Sequence, residues 1–264
     1  MAGKLFRAMT TALAAALLLT ACSGQAVSGT DTGKETLTIG VAGDYYPLCF
    51  TENDKNQGFE IDVWTEIGER TGRTVEFMVS DFTGLFGMLD AGKVDTVGYG
   101  IAITSTRQEK YLFSDPYLYS NYNLITLQDS ELVALEDFSG KKVGVVMGGE
   151  GERKLIELSE RENAGIDVVG YEGPAAMDED IRLGRIDARV GPVIQTSANI
   201  IRNNLNFHIT DITVYSETAG YPFPDDDAHR ALREEINGVL AEMREDGTLT
   251  ELSQRWFNLD ATRQ

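Results

Sequence analysis

Between residues 37 and 100 short apolar runs alternate with amphipathic stretches, and this order restricts the fold more than any other feature of the chain. Residues 37–42 (LTIGVA) read as a strand. Residues 59–71 place Ile61, Trp64 and Ile67 or Val63 at helical spacing, with Gly72 as a stop. A strand over 74–79 follows, then a helix from Asp81, capped by Asp81 or Thr83 and ending at Ala91-Gly92-Lys93, then a strand over 95–100. The order β-α-β-α-β predicts a parallel sheet covered by helices, with ligands held beyond the carboxyl ends of the strands.

The pattern restarts after an extended run over 122–127 and a polar turn over 136–142. Strands are expected over 142–146, 167–171, 188–190 and 207–210, with helices over 152–162, 174–183 and 193–203. Two further helices, 225–245 and 248–256, flank Gly247. The fold class is therefore α/β, in two units. The glycine turn GGEGE at 148–152 matches neither the dinucleotide nor the Walker pattern, and its glutamates repel phosphate.

The stretch over 95–117 (DTVGYGIAITSTRQEKYLFSDPY) joins a strand, a glycine turn, an isolated arginine and an aromatic exit. Thr104 is suited to cap a helical turn carrying Arg107. Backbone N–H groups and a guanidinium fork one turn on form a grip for a carboxylate. Pairing of Arg107 with Glu109 on a solvated face is the competing reading, and local sequence leaves the two even.

Lys4 and Arg7, an apolar run over 11–19 and the small-residue site before Cys22 form an export signal over residues 1–21. The Leu19-Thr20-Ala21-Cys22 run resembles a bacterial lipobox, which implies cleavage before Cys22 and lipid on its thiol. Residues 22–35 read as a flexible tether. The net charge of −19, more negative once Lys4 and Arg7 are removed, opposes nucleic-acid binding and flat binding to anionic lipid. With Cys22 lipidated, Cys49 has no partner and reads as a buried, inert thiol. His208 and His229 are isolated, so neither a metal nor another cofactor is expected.

Several separated segments, GVAGDYYPLCF, GFEIDVWTEIGERTG, DFTGLFGMLDAGKVD, ITSTRQEKYLFSDPY, SGKKVGVVMGG, GRIDARVG and DGTLTELSQRWF, together resemble the polar-amino-acid-binding solute receptors of ABC importers. The resemblance runs from about Leu37 to Phe257. It implies a two-lobed periplasmic-binding-protein type II fold, each lobe a mostly parallel sheet flanked by helices, with two hinge strands. Lobe 1 would comprise residues 36–122 plus 220–264, and lobe 2 residues 123–219. It also implies a monomer, exported and tethered by its lipid to face the periplasm or cell exterior, that captures a small carboxylate-bearing solute and meets permease subunits in the membrane. No bond is broken in such a function, so no catalytic residue is expected.

Carried onto this chain, the resemblance puts the carboxylate grip on Arg107 with backbone near Ala102, and an aromatic wall on Tyr46 and Phe82, beside Tyr45 and Phe50. Gly100 takes a carbonyl-contributing position, and Asp44 lies near an acidic one. Two departures stand out. The second-lobe ligand turn is Gly148-Gly149-Glu150, without the hydroxyl donors of relatives, although the backbone N–H of Gly149 remains. Val190-Gly191-Pro192 occupies the region where relatives place an aspartate for the ligand's ammonium group, which leaves Glu150 or Asp44 to pair with it. Glu150 is equally a solvated first-turn glutamate favoured by the helix dipole. Arg189 is either a second anion contact or a partner for Glu172 or Asp187. A cyclohexadienyl-acid dehydratase on the same fold, with Glu150 as general acid, and a ligand sensor are the alternatives.

Overall fold

The computed structural model describes residues 36–263. The expected signal over 1–21, the lipidation position Cys22 and the tether over 22–35 lie outside the described residues.

The chain opens with β1 (Thr36–Val41) and three short strands, β2 (Asp44–Tyr45), β3 (Cys49–Glu52) and β4 (Lys55–Gln57). Then come α1 (Phe59–Thr71), β5 (Thr74–Val79), α2 (Phe82–Asp90) and β6 (Thr96–Val97). A single turn of helix, α3 (Ser105–Gln108), and β7 (Leu112–Phe113) lead into β8 (Leu118–Leu127). The second run is β9 (Lys142–Val146), α4 (Glu150–Arg161), β10 (Asp167–Tyr171), α5 (Pro174–Arg182), β11 (Ala188–Pro192) and α6 (Val193–Asn203). The chain finishes with β12 (Phe207–Ala219), β13 (Pro222–Phe223), α7 (Asp227–Glu245) and α8 (Thr248–Phe257).

In the first sheet β1 lies between β5 and β6 and runs parallel to both, as the alternation requires. Helix α1 packs on this sheet through Phe59, Val63, Trp64 and Ile67, all fully buried, each worth about 1.5–3 kcal/mol by removal from water. Its ends are set by two glycines. Gly58 has φ 127°, and a Cβ there would sit 2.2 Å from the Leu48 carbonyl oxygen, so only glycine fits. Gly72 closes the helix at φ 70° in the left-handed region. Helices α7 and α8 return to this core with Ile236, Leu240, Met243, Leu249 and Phe257. Trp256 Nε1 donates to Asp62 Oδ2 at 2.8 Å, tying α8 to α1.

The second sheet has the order β10-β9-β11-β8-β12. Its first three strands are parallel, and β8 pairs antiparallel with both β11 and β12. Strand β12 is far longer than the expected 207–210. It follows β8 from Phe207 opposite Leu127 to Ala219 opposite Leu118, with irregularities between Ile209 and Thr213 and between Thr213 and Tyr215. Those irregularities and the polar run around Asp211 hide the strand's period from the sequence. Leu118 and Ala219 belong to the α1 core, whereas Leu124 packs with Val143, Val145 and Leu155 of the second unit. The β8–β12 ribbon therefore passes from one core to the other, which gives the two lobes their two connecting strands.

Other differences are local. The strand expected over 95–100 contracts to β6, although the Asp95 and Gly98 N–H groups still donate to the Thr38 and Gly40 carbonyls of β1, and Gly100 turns away at φ 64°. The aromatic segment after β1 is a small antiparallel sheet, β2-β3-β4, rather than an open loop. Cys49 within it is fully buried, and burial pushes its thiol pKa up, as suits an inert sulfur.

Candidate ligand-binding site

Thr104 caps α3, its Oγ1 accepting from the Arg107 N–H at 3.3 Å. The turn holds the Arg107 side chain back toward β6, where Nη1 donates to the Ala102 carbonyl at 2.8 Å. The guanidinium carbon lies 6.0 Å from the Phe82 ring centroid and 5.7 Å from that of Phe86, against two aromatic faces. Among the described residues no carboxylate forms an ion pair with Arg107, and Glu109 is no exception. An arginine carries five N–H donors, so one carbonyl bond leaves most of the fork open. Ala102 bridges Ala219, with the ladder bonds made by its neighbours, Ile103 N–H to Thr218 and Gly220 N–H to Ile101. The Ala102 N–H and carbonyl consequently point away from that partner strand.

The rings form a row. Tyr45 stacks on Tyr99 at 4.3 Å, Tyr99 meets Phe82 at 5.0 Å, and Phe82 meets Phe86 at 5.6 Å. Phe82, between Tyr99 and Phe86 in this row, is 40% exposed. Tyr46 is not part of it. Its ring lies under the Arg202 guanidinium at 4.3 Å and edge-on to Phe50 at 5.1 Å. The reason is local: β2 ends at Tyr45, and Tyr46 already belongs to the turn that follows it. Asp44 is exposed on β2 opposite Phe50.

Gly100 adopts φ 64°, which turns its N–H inward to donate to Glu60 Oε1 at 2.8 Å. Glu60 is fully buried in the first turn of α1 and also accepts from the hydroxyls of Tyr117 and, at 3.0 Å, Tyr221. Burial raises its pKa to about 7 against the downward pull of those three donors. Nothing in the sequence signals this carboxyl, since an acid in a first helical turn ordinarily faces water.

One cavity brings Tyr45, Gly100 and Ala102 together with Tyr122, Gln195 and Glu217. Tyr122 and Tyr215 face each other across the ribbon and stack at 4.2 Å. Glu217 lies two residues beyond Tyr215, on the same face of β12. Burial raises its pKa, while the hydrogen-bonding Tyr122 hydroxyl and the charge of Arg107 lower it. Gln195, in the first turn of α6, donates from Nε2 to the Tyr45 hydroxyl at 2.7 Å. Neither Gln195 nor Glu217 was anticipated. Both are ordinary polar residues in the sequence, with no local signal to single them out. A second cavity of about 330 Å³ shares Ile194, Glu217 and Thr218 with the first and is lined further by Tyr119, Asn121 and Ser216 with Asp260 and Arg263 of the tail.

The second-lobe turn is largely occupied with itself. The Gly148 N–H donates to Glu152 Oε2 at 2.7 Å and the Gly149 N–H to the Val146 carbonyl at 3.1 Å. Glu150 is exposed and paired with Arg153 one turn on, the arrangement of a solvated first-turn glutamate. Arg189 is 6% exposed and pairs with Asp178, not with Glu172 or Asp187. Its charge is satisfied inside the lobe.

Residues 37–259 match the family model of bacterial extracellular solute-binding proteins, family 3. The chain belongs to this family. The solute-binding protein is 32% identical over 256 residues to a probable amino-acid-binding protein of Bacillus subtilis, covering 96% of each chain. It is 28% identical over 259 residues to the L-cystine-binding protein of Escherichia coli strain K12, covering 97% of this chain and 95% of that one. In fold it is similar to the L-cystine solute receptor of Neisseria gonorrhoeae in its unliganded open conformation, with TM-score 0.76, 23% identity and coverage of 88% and 96%. These neighbours share the two-lobed architecture.

Proposed function

We propose that this solute-binding protein captures an amino acid or a close derivative in the cleft between its lobes and delivers it to the permease of an ABC importer. The observation that carries the reading is Arg107: a guanidinium held by the Ala102 carbonyl and two rings, with no acidic partner among the described residues. Such a fork is complementary to a ligand carboxylate. The relatives named above are amino-acid- and cystine-binding proteins, which supports the ligand class. Lobe 1 comprises residues 36–122 with 220–264, and lobe 2 residues 123–219. The β8–β12 ribbon is the hinge, and a ligand touching both lobes favours the closed geometry by its differential contacts. The protein acts as a monomer tethered through lipid on Cys22, and it catalyses no reaction. The dehydratase and sensor alternatives have no observation in their favour.

A thermal-shift screen of the twenty standard L-amino acids and L-cystine, followed by calorimetry, tests this reading. At least one of them is expected to raise the midpoint, since ligand bound to the folded state adds to its stability. Arg107→Ala is expected to abolish that binding with little change in the unliganded midpoint. An Arg107→Ala variant of unchanged affinity would remove the basis of the proposal.

A further inference from the structure

Val190-Gly191-Pro192, at the end of β11 just before α6, carries no acid, and the amino-acid reading needs a partner for an ammonium group. The two acids the sequence offers as substitutes are poorly placed: Asp44 is exposed on β2, and Glu150 is exposed and paired with Arg153. The cavity between the lobes supplies others. Glu217 is half-buried and lines it beside Gly100 and Ala102. It feels the charge of Arg107, yet the two form no ion pair, so neither charge consumes the other. Gln195 lines the same cavity, and its orientation is set by the bond from Nε2 to the Tyr45 hydroxyl. That bond leaves Oε1 buried with no hydrogen-bond partner. A buried amide oxygen without a donor is uncommon and calls for one. An ammonium group brings three donors and no acceptor, matching a carboxylate plus an amide oxygen.

We infer that Glu217 and Gln195 form the subsite for the ligand's α-ammonium group. This rests on the amino-acid reading above and sharpens it. Arg107 takes the carboxylate from the lobe 1 side and Glu217 the ammonium from the hinge, so the cleft reads a zwitterion. Burial raises the Glu217 pKa, and the Tyr122 hydroxyl and the charge of Arg107 oppose that rise. The ligand class is then α-amino acids with a free amine, and keto acids, N-acyl amino acids and simple dicarboxylates bind more weakly.

The test compares two probes by calorimetry: the amino acid giving the largest shift in the screen, and its α-deamino analogue, which keeps the carboxylate and side chain. Wild type should prefer the amino acid by about tenfold to a hundredfold, the range for a hydrogen-bonded charge. Glu217→Gln should erase most of that preference by weakening the amino acid while leaving the analogue unchanged. Gln195→Met, which keeps length but removes the amide oxygen, should lose part of it. A merely structural role would weaken both probes equally, and that outcome overturns the inference, as does a preference left intact in both variants. If binding depends on Arg107 but the preference does not respond to Glu217, the proposed function stands and the subsite fails. If wild type binds none of the amino acids, the functional reading itself fails and the subsite with it.

Discussion

The Gly100 N–H donates to the buried carboxyl of Glu60 at 2.8 Å, which fastens the turn after β6 to the first turn of α1. Tyr117 and Tyr221, stacked on each other at 4.1 Å, complete the shell of donors around that carboxyl. The turn that carries Gly100 and Ala102 into the cleft thus rests on a group that titrates near neutrality.

The stability consequence has a definite sign. Glu60 titrates at about 7 when folded against a reference of 4.5, so between those values the folded chain keeps a proton that the unfolded chain has released. Its contribution is fully present below 4.5 and is lost as pH rises through 7. At about 1.4 kcal/mol per unit the loss is on the order of 3 kcal/mol. The depressed carboxylates act in another window, Asp246 for example titrating at about 2. Urea unfolding at pH 5 and pH 8 should show wild type weakening with pH, and Glu60→Gln should flatten that slope.

Arg107→Lys keeps the charge and discards the fork. The single nitrogen of lysine cannot meet a carboxylate with two parallel bonds while also holding the Ala102 carbonyl, so affinity should fall by about one to two orders of magnitude, from loss of a charge-assisted bond. Calorimetry with the best amino acid of the screen reads this. Recovery of wild-type affinity by lysine would mean that charge alone suffices.

Tyr45 and Tyr46 should separate cleanly. Tyr45→Ala removes the ring that stacks on Tyr99 and the acceptor that orients Gln195, so it should weaken ligand binding at least tenfold. Tyr46→Ala exposes Arg202 and Phe50 instead, and should change affinity by less than twofold. Equal losses in the two variants would contradict the placement of the ring row.

Arg189 makes a stability prediction remote from the cleft. Asp178→Ala leaves a buried guanidinium unpaired and should cost about 3–5 kcal/mol, whereas Arg189→Met with Asp178→Ala should recover much of it. Ligand affinity at a temperature where both remain folded should be unchanged. Chemical denaturation of the single and double variants gives the coupling directly.

What could be read before folding was whatever repeats locally. The 3.6-residue spacing of Ile61, Trp64 and Ile67, Gly72 as the stop and Asp81 as the cap mark α1 and the start of α2 because each signal lies within a few residues of its effect. The Thr104–Arg107 turn was legible for the same reason, and the order of short motifs carried the family. Pairing between distant segments was not. The length of β12 depends on β8, some ninety residues earlier in the chain, and the partner of Arg189 is decided by how α5 packs beside β11. Local sequence left Arg107 divided between Glu109 and a ligand, and the bond to Ala102 with the flanking rings is a tertiary fact. Likewise Glu60, Gln195 and Glu217 are ordinary polar residues in sequence. Only burial, which removes water as the competing partner, makes one of them a proton-binding group and leaves another with an unpaired oxygen.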